Sequence, residues 1–387
     1  MRIVLLAAAA FICTYAVLDL NKLHSLYYFI DSGIFLQSLA HFAHDGSAFN
    51  WAEMRSHWLV HDSWFLIVLA PFVRAYPYQE TLVAAQLLLI GGSSIVLYSF
   101  ARTIGVGKTP ATLLCLAYLI SPSVQGFAYN DFSESHFEPA LIFALAIAVY
   151  KRSWVWTLVF TQALLGIKED IGLFLLWFGI VGAIWYDRRL GMAVASLAAV
   201  NAIAYQVLVA MHGSHPSMPA YSLRILHPPQ DIAFLIEMLV PFAFAPLWLR
   251  WRVLVALPLL AELFLPSTDG FLARAGVHYT EALVSLIAIG SAFVMRERPV
   301  FARYALPLSA VMALLFNTTV LHFGRHPYVT QDREYARLRA LVLPQAPAAF
   351  EFEDQGSWAV AAGDLNAKVN DAFTRPLRRE KPVWNTK

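Results

Sequence analysis

The chain has 387 residues, 59% of them hydrophobic and only 14% charged, with a formal net charge of +2. A soluble chain carries about 25% charged residues, so this one has too little charge to cover a water-facing surface and belongs in a bilayer. That excludes a cytosolic enzyme, a nucleic-acid binder and a disordered chain, and its two cysteines, Cys13 and Cys115, match no disulfide, metal or redox spacing.

In chain order, Ile3–Leu18 follows Arg2 and has no small-residue cleavage site after it, so it reads as a first, uncleaved span. Further apolar runs at Thr81–Phe100, Thr109–Val124, Pro139–Tyr150, Trp154–Ile167, Ile171–Tyr186, Leu190–Met211, Ile232–Leu249, Val253–Leu265, Ala282–Met295 and Tyr304–Leu321 predict about eleven spans in an all-α polytopic protein. Trp58–Val73 is apolar as well, but counting it as a span inverts every later loop, so it is expected to be interfacial or re-entrant. The membrane part is then 1–321, with an outer loop over about 21–78, and 322–387 is a short polar tail on the outer side.

Lysines and arginines of short loops set orientation. Arg2, Arg102, Lys108, Lys151, Arg152, Arg188, Arg189, Arg250, Arg252, Arg296, Arg298 and Arg303 fall on one side, which places the N-terminus in the cytoplasm. Asp31, Asp45, Asp131, Glu134, His136, Glu169, Asp170, His215, Asp269 and His278 fall on the other. The expected location is the cytoplasmic membrane, with the acids outside.

Polar groups at a bilayer are costly, so their clusters are candidate sites. After Asp31, the residues Ile34, Phe35, Leu39 and Phe42 recur at three- and four-residue steps, predicting an amphipathic surface helix with Asp31 as its N-cap. Asn130–Pro139 carries Asp131, Glu134, His136 and Glu138, a group suited to a divalent cation such as magnesium or manganese, to a phosphate head group held through that metal, or to proton relay. Lys168-Glu169-Asp170 closes a span on the same side, His278-Tyr279 opens another, and His61-Asp62 lies in the interfacial segment. There is no nucleotide loop, nucleophile elbow or HExxH.

The order of these pieces is Asp31, Gly33, Ile34, Phe35 and Gln37; His61 and Ser63; Ser121 and Pro122; Asp131 and Phe132; Lys168, Glu169 and Asp170; then His278 and Tyr279. It resembles a family of prokaryotic membrane proteins called domain of unknown function 2079, over about Tyr27 to Met295. The family's Asp-Phe-His-Glu is spread out here between Asp131 and His136, which leaves its role open among Glu134, His136 and Glu138.

That family is similar to the GT-C superfamily of membrane glycosyltransferases. The resemblance implies a sugar donor linked to polyprenyl phosphate and an acceptor that is a glycan, lipid or protein, with membrane lipids around it and no nucleic acid. Asp31 is then the catalytic base. Lys168, His278, Tyr279, His61 and Gln37 hold substrate or phosphate, and Asp131, Glu134, His136, Glu138, Glu169 and Asp170 supply a metal site or second acid. The rival readings are a secondary transporter or lipid flippase, and a non-catalytic subunit of envelope assembly.

Overall fold

The computed structural model describes residues 1–26, 30–50, 52–53, 55–213, 228–265, 278–315, 330–333 and 335–336, with the backbone alone at residues 30, 228, 278, 351–352 and 368–369. The polar tail thus lies largely outside the described residues, as do Tyr27, Tyr28, Trp51, His215 and Asp269.

Helix α1 (Arg2–His24) is apolar nearly all round, as a span must be. α2 (Ile30–Asp45) follows, then a short antiparallel pair, β1 (Phe49–Asn50) and β2 (Arg55–Ser56). Short 3-10 helices at His57–Leu59 and Trp64–Leu69 lead to α3 (Ala70–Ala75). The apolar Trp58–Val73 segment is therefore broken into short pieces. α4 (Gln79–Thr103) packs along α1, and Gly91 is why they meet closely: a Cβ there would lie 2.6 Å from Ile12 Cγ1.

α5 (Lys108–Ile120) and α6 (Pro122–Tyr129) form one path bent by 51°. Pro122 cannot donate into the preceding turn and pushes Ser121 into extended backbone. α7 (Glu138–Tyr150), α8 (Trp154–Leu165), α9 (Asp170–Trp185) and α10 (Arg188–Met211) then run back and forth. α9 and α10 share a seam of small residues: a Cβ on Gly191 would lie 2.1 Å from Ala183 N, and one on Gly179 2.5 Å from Ala195 N. Small residues let backbones approach inside a membrane, where hydrophobic burial offers little drive.

Beyond these lie α11 (Pro228–Leu239), α12 (Leu257–Phe264), α13 (Glu281–Glu297) and α14 (Val300–Leu315). At the tail, β3 (Glu351–Phe352) pairs in parallel with β4 (Lys368–Val369).

The architecture is all-helical and of membrane type, but eleven spans are not present. Among the described residues three helices, α1, α4 and α10, are long and apolar enough to cross a bilayer, or four if the bent α5–α6 path counts as one. Several other runs fold into short helices: α8, with 12 residues, is about 18 Å long against a hydrocarbon core of about 30 Å. The expected spans Ile232–Leu249 and Val253–Leu265 break at Pro241, Pro246 and Pro258. Left-handed backbone at Ala243, Phe244 and Arg250 breaks them further.

The expected amphipathic surface helix also differs. In α2 every residue from Ser32 to Leu39 is buried, because 49–75 folds back over it. Asp31 lies inside its first turn and is not the N-cap.

Candidate functional site

One end of the bundle gathers the connections that follow α1, α6, α8 and the chain before α13, and a cleft opens among them. It is lined by Asp31, Ile34 and Phe35 of α2, by Glu53, His57 and His61, by Ser133 and Glu134, by Lys168, and by Tyr279. Its space is about 400 Å³ with the open mouth counted.

Each wall is held in place by backbone or buried polar contacts. Gln86 of α4 donates its amide to the carbonyls of Phe127, Ala128 and Asn130 at 3.0, 3.0 and 2.7 Å, which fixes the chain entering the Asp131 loop. Lys22 Nζ meets Asp131 Oδ1 at 3.1 Å and donates to the Tyr129 carbonyl at 2.6 Å. His136 Nδ1 pairs with Glu281 Oε1 at 2.5 Å, tying the 3-10 turn Glu134–Phe137 to α13. Trp64 lies against Gly166, where a Cβ would come within 2.2 Å of the indole, and Phe65 N donates to the Gly166 carbonyl at 2.8 Å. That contact brings His57 and His61 up to the loop bearing Lys168.

The ionisable side chains are arranged in pairs. His61 Nδ1 is 2.9 Å from Glu169 Oε1, and Asp62 N donates to Glu169 Oε2 at 3.2 Å. Burial alone would lower the His61 pKa; the Glu169 contact outweighs it and holds the imidazole above its ordinary value. His57 Nδ1 is 3.0 Å from Glu53 Oε2, and Glu53 is held in turn by Asn50 Nδ2 at 2.6 Å. Lys168 Nζ lies 3.4 Å from Glu134 Oε1 and 4.7 Å above the Tyr279 ring. Burial works against its charge, but Glu134 and Asp170 beside it keep the ammonium protonated.

Asp31 differs from all of these. Its side chain opens onto the cleft, and none of the described residues donates a hydrogen bond to it. Burial of its surroundings, then the Asp131 and Glu134 charges, raise its pKa to about 6, only partly opposed by Lys168 and His57. An open carboxylate that titrates near neutrality is suited to taking a proton.

Of the residues singled out in the sequence, the structure brings Asp31, His61, Glu134, Lys168 and Tyr279 to this cleft. Asp131 and His136 are buried behind its wall, Glu169 backs His61, and Gln37 is buried within α2 and does not line it. Glu138 and Asp170 are also absent from the lining. The side chain of His278 lies outside the described residues.

The expected metal set is not assembled. Among the described residues no three His, Cys, Asp or Glu side chains are placed to hold an ion. Asp131 turns to Lys22, Glu134 to Lys168, His136 to Glu281 and Glu169 to His61. These acids meet cations and imidazoles already in the chain.

Glu53, His57, Lys22 and Glu281 were not singled out from the sequence. Glu53, His57 and His61 recur at four-residue steps, a signal that was available.

The fold and site together define an all-helical membrane protein with a polar, acid-rich cleft at one end of its helices. Residues 22–223, just over half the chain, match the family model described as predicted membrane protein (DUF2079), and the chain belongs to that family. Among proteins of curated function, none matches it.

Proposed function

We propose that this protein transfers a sugar from a polyprenyl-phosphate-linked donor to a glycan, lipid or protein acceptor, in the manner of the GT-C glycosyltransferases it resembles. The cleft would face the outer side of the cytoplasmic membrane, with the N-terminus inside and the tail outside. One observation carries the reading: an open carboxylate that titrates at about 6 shares a cleft with a lysine that stays protonated.

In this mechanism Asp31 accepts the proton of the acceptor hydroxyl as its oxygen bonds to the sugar's anomeric carbon. The bond from that carbon to the phosphate oxygen breaks, and its electron pair leaves on the lipid phosphate. Lys168, with His61 when protonated, meets that charge. Phe35 and Tyr279 offer ring faces and edges to the sugar.

Asp31→Asn keeps the shape and removes the base, so transfer should fall by about 10²–10⁴-fold. Mass spectrometry of lipid-linked sugars and envelope glycans, from cells carrying the variant or the parent protein, reads the loss. An unchanged product profile removes Asp31 from the mechanism.

One observation favours a secondary transporter or flippase as the second reading. Asp19, within α1, is fully buried, and neither of its carboxylate oxygens has a hydrogen-bond partner among the described residues. Buried acids in spans are typical of proton relays. Proton uptake by proteoliposomes free of lipid-linked sugar, abolished by Asp19→Asn and kept by Asp31→Asn, supports transport over transfer.

A further inference from the structure

The end of the bundle opposite the cleft has its own chemistry. α9 and α13 both begin at the cleft, at Asp170 and Glu281, and finish at the far end at Trp185 and Glu297. Residues Ala245–Ala256 are laid against these two ends. Trp251 meets Trp185 with ring centroids 4.3 Å apart, Trp248 meets Phe301 at 5.0 Å, and Arg298 sits 6.0 Å over the Trp248 ring. Arg252 lies 5.7 Å over Trp251.

This segment does not continue as a helix, because Arg250 has φ 56° and ψ −128°, a region that L side chains rarely enter. The break falls between the two tryptophans. On the packed side the segment is pressed onto α13 at Gly290, where a Cβ would lie 3.2 Å from Leu249 Cδ1 and 3.3 Å from Pro246 Cβ. On the other side Leu247, Trp248, Trp251, Leu254 and Trp185 are all about half exposed. Arg250, Arg252 and Arg298 are exposed beside them, and none of the three forms an ion pair among the described residues.

We infer that Trp248, Trp251, Arg252 and Arg298 form a binding site for an anionic phospholipid of the surrounding bilayer. Exposed indoles seat at the level of lipid head groups, where an apolar ring and a polar N–H are both accommodated. Guanidinium groups stacked on those rings keep their forked donors free for a phosphate, which they bind in two-point fashion. Arginines that form no ion pair among the described residues are complementary to an anionic head group, and the flanking Leu247 and Leu254 match its acyl chains. The inference is independent of the chemistry in the cleft.

The test is native mass spectrometry of the full-length protein released from mixed micelles of phosphatidylglycerol and phosphatidylcholine. The parent protein should retain phosphatidylglycerol in preference. An arginine close to an anionic surface contributes about fivefold, so Arg252→Gln with Arg298→Gln should cut that preference by about 25-fold. Arg2→Gln, outside the cluster, should leave it nearly unchanged, and excess glycerol phosphate should not displace the lipid. Equal loss from Arg2→Gln, or full displacement by glycerol phosphate, overturns the proposal, as does an unaltered preference in the double variant.

Discussion

The two ends of the bundle treat charge in opposite ways. At the cleft end, Lys22, Lys168, His57, His61 and His136 each meet a carboxylate within 3.4 Å, and most of these groups are buried. At the far end, Arg188, Arg189, Arg250, Arg252 and Arg298 are exposed and form no ion pairs among the described residues. The difference is one of solvation: a charge taken out of water must find its counter-charge within the protein, whereas one at the lipid head groups finds it outside. An open carboxylate such as Asp31 is therefore conspicuous only at the paired end.

The comparison breaks most readily at Lys22. Lys22→Met leaves Asp131 buried without its cation and adds to the burden of unpartnered Asp19 nearby, so the protein should lose about 3–5 kcal/mol of stability. Thermal unfolding in detergent measures it. Adding Asp131→Leu should recover most of the loss, since a buried pair is often replaceable by apolar groups. A single variant within 1 kcal/mol of the parent, a margin smaller than any buried-pair loss of about 3 kcal/mol, shows that pairing does not govern this end.

His61 and Glu169 sharpen the comparison at lower cost, because both are partly exposed. Glu169→Gln removes the negative charge that helps to raise the His61 pKa and leaves burial to lower it. The imidazole resonance of His61, followed by NMR against pH, should titrate at a lower pH than in the parent. The sign for stability follows: the pair's contribution is full below the ordinary histidine pKa and is lost as pH rises through the higher folded value. The variant should therefore lose about 1–2 kcal/mol at pH 5 and little at pH 9.

How much of this was legible follows the same division. In a chain this apolar, Asp31 and Lys168-Glu169-Asp170 stand out because few other charges surround them. Lys22 and Glu281 did not stand out, since a charge at the end of a span is explained by snorkelling until its partner is seen. Glu53 and His57 sit in a polar stretch, where four-residue spacing is easily missed. Gln37 shows the converse: its place in a shared motif does not tell which face it occupies, and it is buried in α2. The expected spans over 232–249 and 253–265 do not form because hydropathy counts apolar residues and ignores Pro241, Pro246 and Pro258, whose missing donors stop helices that composition would carry on.

Asp31 supplies the pH dependence of the cleft end. Its folded pKa of about 6 lies above the ordinary 3.8, so the group binds a proton in the folded protein over a window where the unfolded chain has released it. If it is the base, the rate falls on the acid side with a midpoint near pH 6, about tenfold for each further pH unit. Glu134→Gln removes one of the charges that raise this pKa and should move the midpoint to lower pH. A midpoint that stays in place detaches the profile from Asp31.

The smallest effect on stability is expected at the far end. Arg298→Gln keeps a long polar side chain over Trp248 and removes a charge that forms no ion pair among the described residues. An exposed cation stacked on a ring contributes about 0.5–1 kcal/mol. Part of that is offset by relief of repulsion from the neighbouring arginines, so the change should lie within about 0.5 kcal/mol, as for ordinary surface substitutions. The measurement is thermal unfolding in a zwitterionic detergent, where no anionic lipid complicates the reading. If the variant instead loses as much as Lys22→Met, Arg298 has a buried counter-charge, and the far end obeys the same rule of pairing as the cleft.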